Sequence, residues 1–345
     1  MKLSNMSKNT AKKFVPYPFL KNGSLQTIVA NLISRTPIPK KSRIQTVKLS
    51  DGDQINLFID RPDNVKTDSK NSTLSHDKVR ILLMHGLGGS CESKYILRIG
   101  AKLNQLGFEV VRFNHRGCGP GGQALARNIY HAGQTKVLDE TLRTIKNELP
   151  TKQLLLVSFS LSANLVLKYL GESEEESSSL EYCSLIKEVF CICPPINLAN
   201  CSKQLALPKN FWLDQYFIRK LVAQAKSRSQ IHKIPFNLPR KISIGEFDRV
   251  YTAPQAGFKS REEYYQKSSS KKYLSKIKTP TRILIASDDP VVPVEDYNDL
   301  VLSDSTTLDH QQFGGHMGFI SRTKTPQKDR FWMDAQVLKW AKSAI

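Results

Sequence analysis

Short apolar runs alternate with amphipathic stretches along most of this chain. Continuous runs stand at 79–84, 109–113, 154–159, 189–193 and 282–286, with a weaker one at 305–308. Helical periodicity occupies 93–106, 133–149, 160–170 and 329–341. A run that is apolar at every position is a strand buried on both faces. Strands that alternate with helices return through right-handed crossovers into parallel sheet. The fold class expected is therefore α/β, a mostly parallel central sheet with helices on both faces.

Two regions depart from this rhythm. Residues 44–60 alternate apolar with polar on either side of Asp51-Gly52-Asp53, which predicts an antiparallel hairpin before the parallel strands begin; the polar stretch 61–78 then reads as a loop. Roughly ninety residues separate the run ending at 193 from the one starting at 282, far more than a crossover needs. They open on Pro194-Pro195, close on Thr279-Pro280, and read as helices and loops inserted above the sheet. The expected organisation is a basic N-terminal segment 1–43, a first core part 44–193, a helical lid 194–280 and a final core part 281–345. Residues 171–179, rich in Glu and Ser, read as an exposed acidic loop.

Composition narrows the class. The chain has 345 residues, 40% hydrophobic and 24% charged, which is globular rather than disordered. Six cysteines show no framework spacing, and no stretch approaches the roughly 20 apolar residues of a membrane span. The basic N-terminus lacks the apolar core of a signal peptide. A soluble, reduced, cytoplasmic protein is expected.

The net charge is +20, and it is unevenly placed. Residues 1–43 hold nine Lys/Arg and no Asp/Glu, and residues 198–278 hold 17 against 5. A solvated basic surface is the plain reading. Steering of anionic substrates, or peripheral contact with an anionic membrane, is the next. Nucleic acid is disfavoured, since zinc-finger spacing, an RNA-recognition signature and a zipper are all lacking.

Candidate chemistry lies at the ends of the apolar runs. Leu156-Val157-Ser158-Phe159-Ser160-Leu161-Ser162 passes from a buried strand straight into a helix, with Ser160 at the join. A serine at such an elbow is lifted above the sheet as a nucleophile, although Ser160 would serve equally as a helix N-cap. The usual elbow has glycine two residues before and after; here Ser158 and Ser162 stand there. His85-Gly86-Leu87-Gly88-Gly89-Ser90 follows an earlier strand and fits neither phosphate-binding glycine pattern. Its Leu87 N–H, with that of Leu161, would form an oxyanion hole. Asp289, with Asp288 as its rival, leaves a late strand before Val291-Val292-Pro293, and His316 sits on the loop Phe313-Gly314-Gly315-His316. The order Ser, Asp, His suits this architecture: His316 relays the proton of Ser160, and Asp289 orients the imidazole. No cofactor and no metal site is expected.

Further residues carry a resemblance. They are Gln26-Thr27 after Phe19 to Leu25, Ser93 and Tyr95 after the 85–90 loop, and Asn114-His115-Arg116-Gly117-Cys118-Gly119. Tyr130-His131-Ala132-Gly133-Gln134-Thr135, Phe247-Asp248, Tyr251-Thr252-Ala253-Pro254, Gly257-Phe258 and Glu263-Tyr264-Tyr265 complete the set. Over about 300 residues the chain resembles the YheT-like, or AB-hydrolase-4, branch of the α/β-hydrolase superfamily. The resemblance implies that fold with a helical lid, and a triad of Ser160, Asp289 and His316. It implies a serine carboxylesterase acting on small-molecule or lipid acyl esters through an acyl-enzyme. Acyl transfer by the same triad, or a degenerate fold that binds lipid or a partner, are the alternatives; the serines at 158 and 162 motivate the last. Phe211, Trp212, Tyr216 and Phe217 are expected in the acyl pocket.

Overall fold

The computed structural model describes residues 13–34, 42–62, 79–149 and 153–344. The expected loop at 61–78 lies outside the described residues from position 63 onward. Among the described residues, eight strands form one sheet: β1 (Arg43–Lys48), β2 (Gln54–Asp60), β3 (Val79–Met84), β4 (Glu109–Phe113), β5 (Gln153–Phe159), β6 (Ile186–Ile192), β7 (Thr281–Ala286) and β8 (Thr306–Gln311). Their order is β1-β2-β4-β3-β5-β6-β7-β8. The hairpin β1–β2 is antiparallel, as is β2 to β4; all later neighbours are parallel. This is the predicted α/β class.

The register explains the apolar runs. In β3 and β5 alternate residues enter two different cores. Leu82, Met84, Leu154 and Leu156 face one side, against the helices Thr135–Glu148 and Leu161–Glu172. Ile81, Leu83, Leu155, Val157 and Phe159 face the other, against Lys94–Gln105 and Trp332–Ser343. A residue on either face of these strands is buried, so they are almost wholly apolar and the exceptions are partnered: Arg80 donates to the Leu149 carbonyl, and Ser158 Oγ lies 3.3 Å from Cys191 Sγ.

Residues 194–280 contain the helices Leu198–Leu205, Phe211–His232 and Arg261–Ser268. Leu213, Ile218 and Ala225 of the long helix, with Ile244 and Phe247 of the short helix Ile244–Phe247, join the first core, so the insertion is packed onto the sheet rather than free of it. Two expected acidic-loop residues pair with its far end, Glu174 with Lys278 and Glu175 with Lys276, at 2.6 and 2.7 Å. The 171–179 stretch is thus partly a docking strip: Gly171 is buried within a helix end, where a Cβ would overlap Tyr273.

At the other end of the chain, Phe14 packs on Phe319 and Trp332, each at 5.4 Å between ring centres. All six cysteines are free thiols. No helix among the described residues is long and apolar enough to cross a membrane.

Candidate active site

Parallel strands deliver their carboxyl ends to one rim, and β3, β5, β7 and β8 each hand over to one of the sequence-predicted pieces there. Ser160 stands between β5 and the helix Leu161–Glu172 with φ 53° and ψ −122°, a backbone conformation costly for any residue with a Cβ. Neighbours hold it: its N–H donates to the Ile192 carbonyl at 2.8 Å and its own carbonyl accepts from Ala163 N at 2.8 Å. Gly86 makes room, since a Cβ there would stand 3.0 Å from Ser160 Cβ.

The elbow serines need no glycine backbone. Neither Ser158 nor Ser162 has a positive φ, and both are fully buried with partners. Ser158 Oγ lies 3.3 Å from Cys191 Sγ. Ser162 Oγ donates to the His85 carbonyl and lies 2.6 Å from His115 Nε2.

His316 reaches Ser160 from the loop after β8. Its Nε2 lies 2.8 Å from Ser160 Oγ, and its Nδ1 lies 2.9 Å from Asp289 Oδ2. With Nδ1–H facing the carboxylate, the ring donates to Asp289 and accepts the serine O–H. Asp289 Oδ1 accepts from the amides of Val291 and Val292 at 2.8 and 3.0 Å. The turn after the carboxylate therefore orients it. Asp288 faces elsewhere: its Oδ1 accepts from Gly315 N at 2.8 Å, and burial raises its carboxyl above the ordinary range. The geometry brings Ser160, His316 and Asp289 into one hydrogen-bonded line and leaves Asp288 to brace the histidine loop.

That loop has a second brace which the residues alone did not reveal. Helix Gly23–Ile33 lies against it. Thr27 Oγ1 accepts from His316 N at 2.9 Å, and Gln26 Oε1 accepts from Ile320 N at 2.7 Å. Gly23 allows the approach, because a Cβ there would overlap the Asp288 carbonyl. Gln26-Thr27 was visible only as part of a family resemblance; its contacts are to residues nearly three hundred positions away.

Leu161 N belongs to the first turn of its helix, whose amides have no intrahelical acceptor. Leu87 lines the same cavity as Ser160 and Leu161. Its loop is fixed on both sides: Gly86 N donates to Tyr95 Oη at 2.8 Å, and His85 Nδ1 donates to the Gly86 carbonyl at 2.8 Å. Burial pushes His85 down to about 4 and His115 well below the ordinary histidine value, so both are neutral struts. Asn114 and Arg116 are likewise loop-holding. Asn114 accepts from Cys91 N at 2.8 Å, and Arg116 pairs with Asp51 at 2.7 Å and with Asp53.

Two hollows meet at Ser160. One is apolar, lined by Leu205, Phe217, Leu221, Ala225, Phe247 and Tyr251 of the insertion. Several polar groups on its wall have partners or are neutral: Arg228 donates to Tyr251 Oη at 2.7 Å, Tyr265 Oη donates to Asp248 at 2.8 Å, and burial pushes His131 down to about 3. The other is polar, with Thr27, Asn31, Ser93, Tyr216, Lys220 and His316. Leu87, Ser160 and Phe217 line both. Of the four aromatics expected in the acyl pocket, only Phe217 enters the apolar hollow. Tyr216 turns to the polar one, while Phe211 and Trp212 stand outside, 53 and 74% exposed. The start of their helix overhangs the rim rather than the cavity.

Cys193, at φ 48°, is fully buried, its sulfur within 4.8 Å of donor atoms of Asp289 and His316. Such a trio has the composition of a metal site. Burial, however, holds the thiol well above its ordinary value, and the other two donors are engaged with each other.

Comparison with known proteins agrees with this fold. "Putative esterase YheT" of Escherichia coli (strain K12) is 27% identical over 343 residues, 96% of this chain and 94% of its own length. "Phospholipase ABHD3" of Mus musculus is 27% identical over 307 residues, 86% of this chain and 70% of its own. The solved structure of the Pyrococcus furiosus esterase Pf2001 superposes with a TM-score of 0.53 at 14% identity, covering 97% of this chain and 98% of that one, a likeness of fold alone. A family model described as the alpha/beta hydrolase fold matches residues 79–323, which take in β3 through β8 and the three rim side chains. The chain belongs to the alpha/beta hydrolase fold family, with a YheT-named protein among its relatives.

Proposed function

We propose that this protein is a serine carboxylesterase, with Ser160 as nucleophile, His316 as general base and acid, and Asp289 as the group that orients the imidazole. The observation that carries the reading is the unbroken line Ser160 Oγ–His316 Nε2–Asp289 at 2.8 and 2.9 Å, ending where the two hollows join. Ser160 Oγ attacks the ester carbonyl as its proton passes to His316 Nε2. The imidazolium is stabilised by the Asp289 carboxylate. Negative charge on the carbonyl oxygen faces the N–H groups of Leu87 and Leu161, an interaction for which one donor is worth about 10²–10³ in kcat. Collapse breaks the C–O bond, and the leaving alkoxide takes the proton back from His316. Water then enters, His316 removes its proton, and the acyl-enzyme is hydrolysed.

The character of the two hollows supports a placement of the two halves of the ester. The acyl chain suits the apolar one, lined mainly by aliphatic and aromatic side chains. The alcohol part suits the polar one, on the His316 side, where the leaving oxygen meets the proton. The esterase and phospholipase names of the relatives support acyl esters as the substrate class.

A fluorophosphonate probe tests the nucleophile. Wild type is expected to become labelled on the peptide carrying Ser160, and Ser160→Ala to stay unlabelled. Equal labelling of both proteins would refute the assignment.

A further inference from the structure

The misplaced aromatics have neighbours of the same kind. Helix Gly23–Ile33 buries Gly23, Gln26 and Ala30. Its other side carries Leu25, Ile28 and Leu32, 46, 42 and 71% exposed. Spaced three and four residues apart, they form one stripe. The exposed Phe211, Trp212 and Tyr216 open the helix Phe211–His232. The two helices touch where Asn31 Nδ2 donates to Tyr216 Oη at 3.2 Å. Burying these side chains against something would be favourable, and contiguous exposed apolar surface of this kind marks a contact site.

Cations stand among them. Lys94 Nζ donates to the Asn31 carbonyl at 3.0 Å, and the Lys220 ammonium lies 4.6 Å from the Tyr216 ring centre. Lys21, Lys209 and Arg219 are exposed just before or within the same two helices. Against them Glu92 is the acidic residue in the lining of the polar hollow. That hollow opens between these helices, with Ala30 and Asn31 on one side and Tyr216 and Lys220 on the other.

We infer that this face docks on an anionic lipid surface. Leu25, Ile28, Leu32, Phe211 and Trp212 enter the boundary between headgroups and acyl chains, and the lysines and Arg219 meet lipid phosphates. Apolar side chains of such helices enter that boundary by about 5–10 Å, and cations near the surface are drawn to the anionic headgroups. Charge argues against a second copy of the chain as the occupant. In a two-fold dimer the same patch meets itself, and the cations would face one another. Docking would bring the mouth of the polar hollow to the lipid, so an ester could pass from the bilayer to Ser160 without crossing water. The inference goes beyond ester hydrolysis and holds whether or not Ser160 is the nucleophile.

The test uses the full chain, its Ser160→Ala variant, and vesicles of phosphatidylcholine alone or with about 30% phosphatidylglycerol. Sedimentation is expected to show binding to the anionic vesicles at least about tenfold tighter than to the neutral ones, weakening by a further factor of about ten between about 50 and 500 mM salt. Trp332 and Trp340 are buried, so a blue shift of emission and quenching by brominated lipid report on Trp212, and both should vanish in Trp212→Ser. Leu32→Ser combined with Trp212→Ser is expected to weaken vesicle binding by about tenfold or more, while turnover of water-soluble p-nitrophenyl acetate stays at the wild-type rate. Ser160→Ala should bind vesicles as wild type does, which separates this result from that of the probe. Absent or salt-insensitive vesicle binding would overturn the inference, as would wild-type binding by the double variant. A dimer that the same substitutions dissolve, without vesicle binding, would assign the face to a second copy instead.

Discussion

The Ser162 hydroxyl lies 2.6 Å from His115 Nε2 and donates to the His85 carbonyl, tying the elbow helix to the loop that carries Leu87. His115 is itself clamped, its ring stacked on Tyr130 at 3.8 Å between centres. Restoring the usual elbow glycine would therefore harm this protein. Ser162→Gly leaves a buried imidazole N–H and a buried carbonyl without partners, at about 1–3 kcal/mol of stability. The expected result is a lower urea midpoint and a kcat reduced by about tenfold with KM little changed, because one oxyanion donor loses its brace. Wild-type kcat and midpoint in this variant would show that the serine is a passive substitute.

Asp288 and Asp289 differ in what they touch, and their amide variants should differ accordingly. Asp289→Asn places an N–H or a neutral oxygen against His316 Nδ1 and disturbs the tautomer, with an expected loss of about 10⁴ in kcat. Asp288→Asn keeps an oxygen for Gly315 N and should stay within about threefold of wild type. Steady-state kinetics on one soluble ester checks both. The reverse ranking would move the orienting role to Asp288.

Much of this site could be read before any coordinates, because periodicity changes from strand to helix at Ser160 and the late pieces follow in the order Ser, Asp, His. The sheet was legible for the same reason: its central strands are apolar on both faces. Three things were not. Adjacent carboxylates share one local pattern; spacing to Val291-Val292-Pro293 favours Asp289, but that Asp288 instead takes the Gly315 amide while Asp289 takes the Val291 and Val292 amides and His316 Nδ1 is a matter of tertiary contact. The helix Phe211–His232 is apolar on more than one side, so spacing could not say which aromatics face the cavity and which face outward. The brace from Thr27 and Gln26 to the histidine loop spans almost the whole chain, and no local pattern reports such a contact.

Acid should unfold this protein through its buried histidines. His85 and His131 are held by burial at about 4 and about 3, and His115 is lowered as well, against about 6.5 in the unfolded chain. Below pH 6.5 the unfolded state takes up protons that the folded state refuses. Their contribution is complete above 6.5 and is lost as pH falls toward the folded values, at about 1.4 kcal/mol per pH unit for each group. Asp248, raised to about 6 by burial, acts in the opposite sense between about 6 and 4, and Asp214, Asp288 and Asp296, raised by burial as well, oppose the histidines in the same direction. Urea unfolding at pH 7.5 and pH 5 should show a net loss of stability at the lower pH. His131→Gln should flatten the dependence, and a level profile from the outset would contradict neutral burial.

The apolar hollow makes the last prediction, about chain length. Leu221 and Ala225 come one helical turn apart on the insertion helix and line the cavity with Phe217. Leu221→Trp adds bulk inside that cavity while leaving Ser160, His316 and the amides of Leu87 and Leu161 untouched. An acetyl group needs little of the hollow, whereas a longer acyl chain must fill it. Each methylene buried there is worth about 0.8 kcal/mol, so excluding about three of them removes about 2.4 kcal/mol of transition-state binding. The expected outcome is kcat/KM on p-nitrophenyl octanoate reduced by about fifty-fold, with p-nitrophenyl acetate changed by less than about threefold. Equal losses on both esters would mean that the acyl chain lies in the polar hollow, and the assignment of the two halves of the substrate would have to be exchanged.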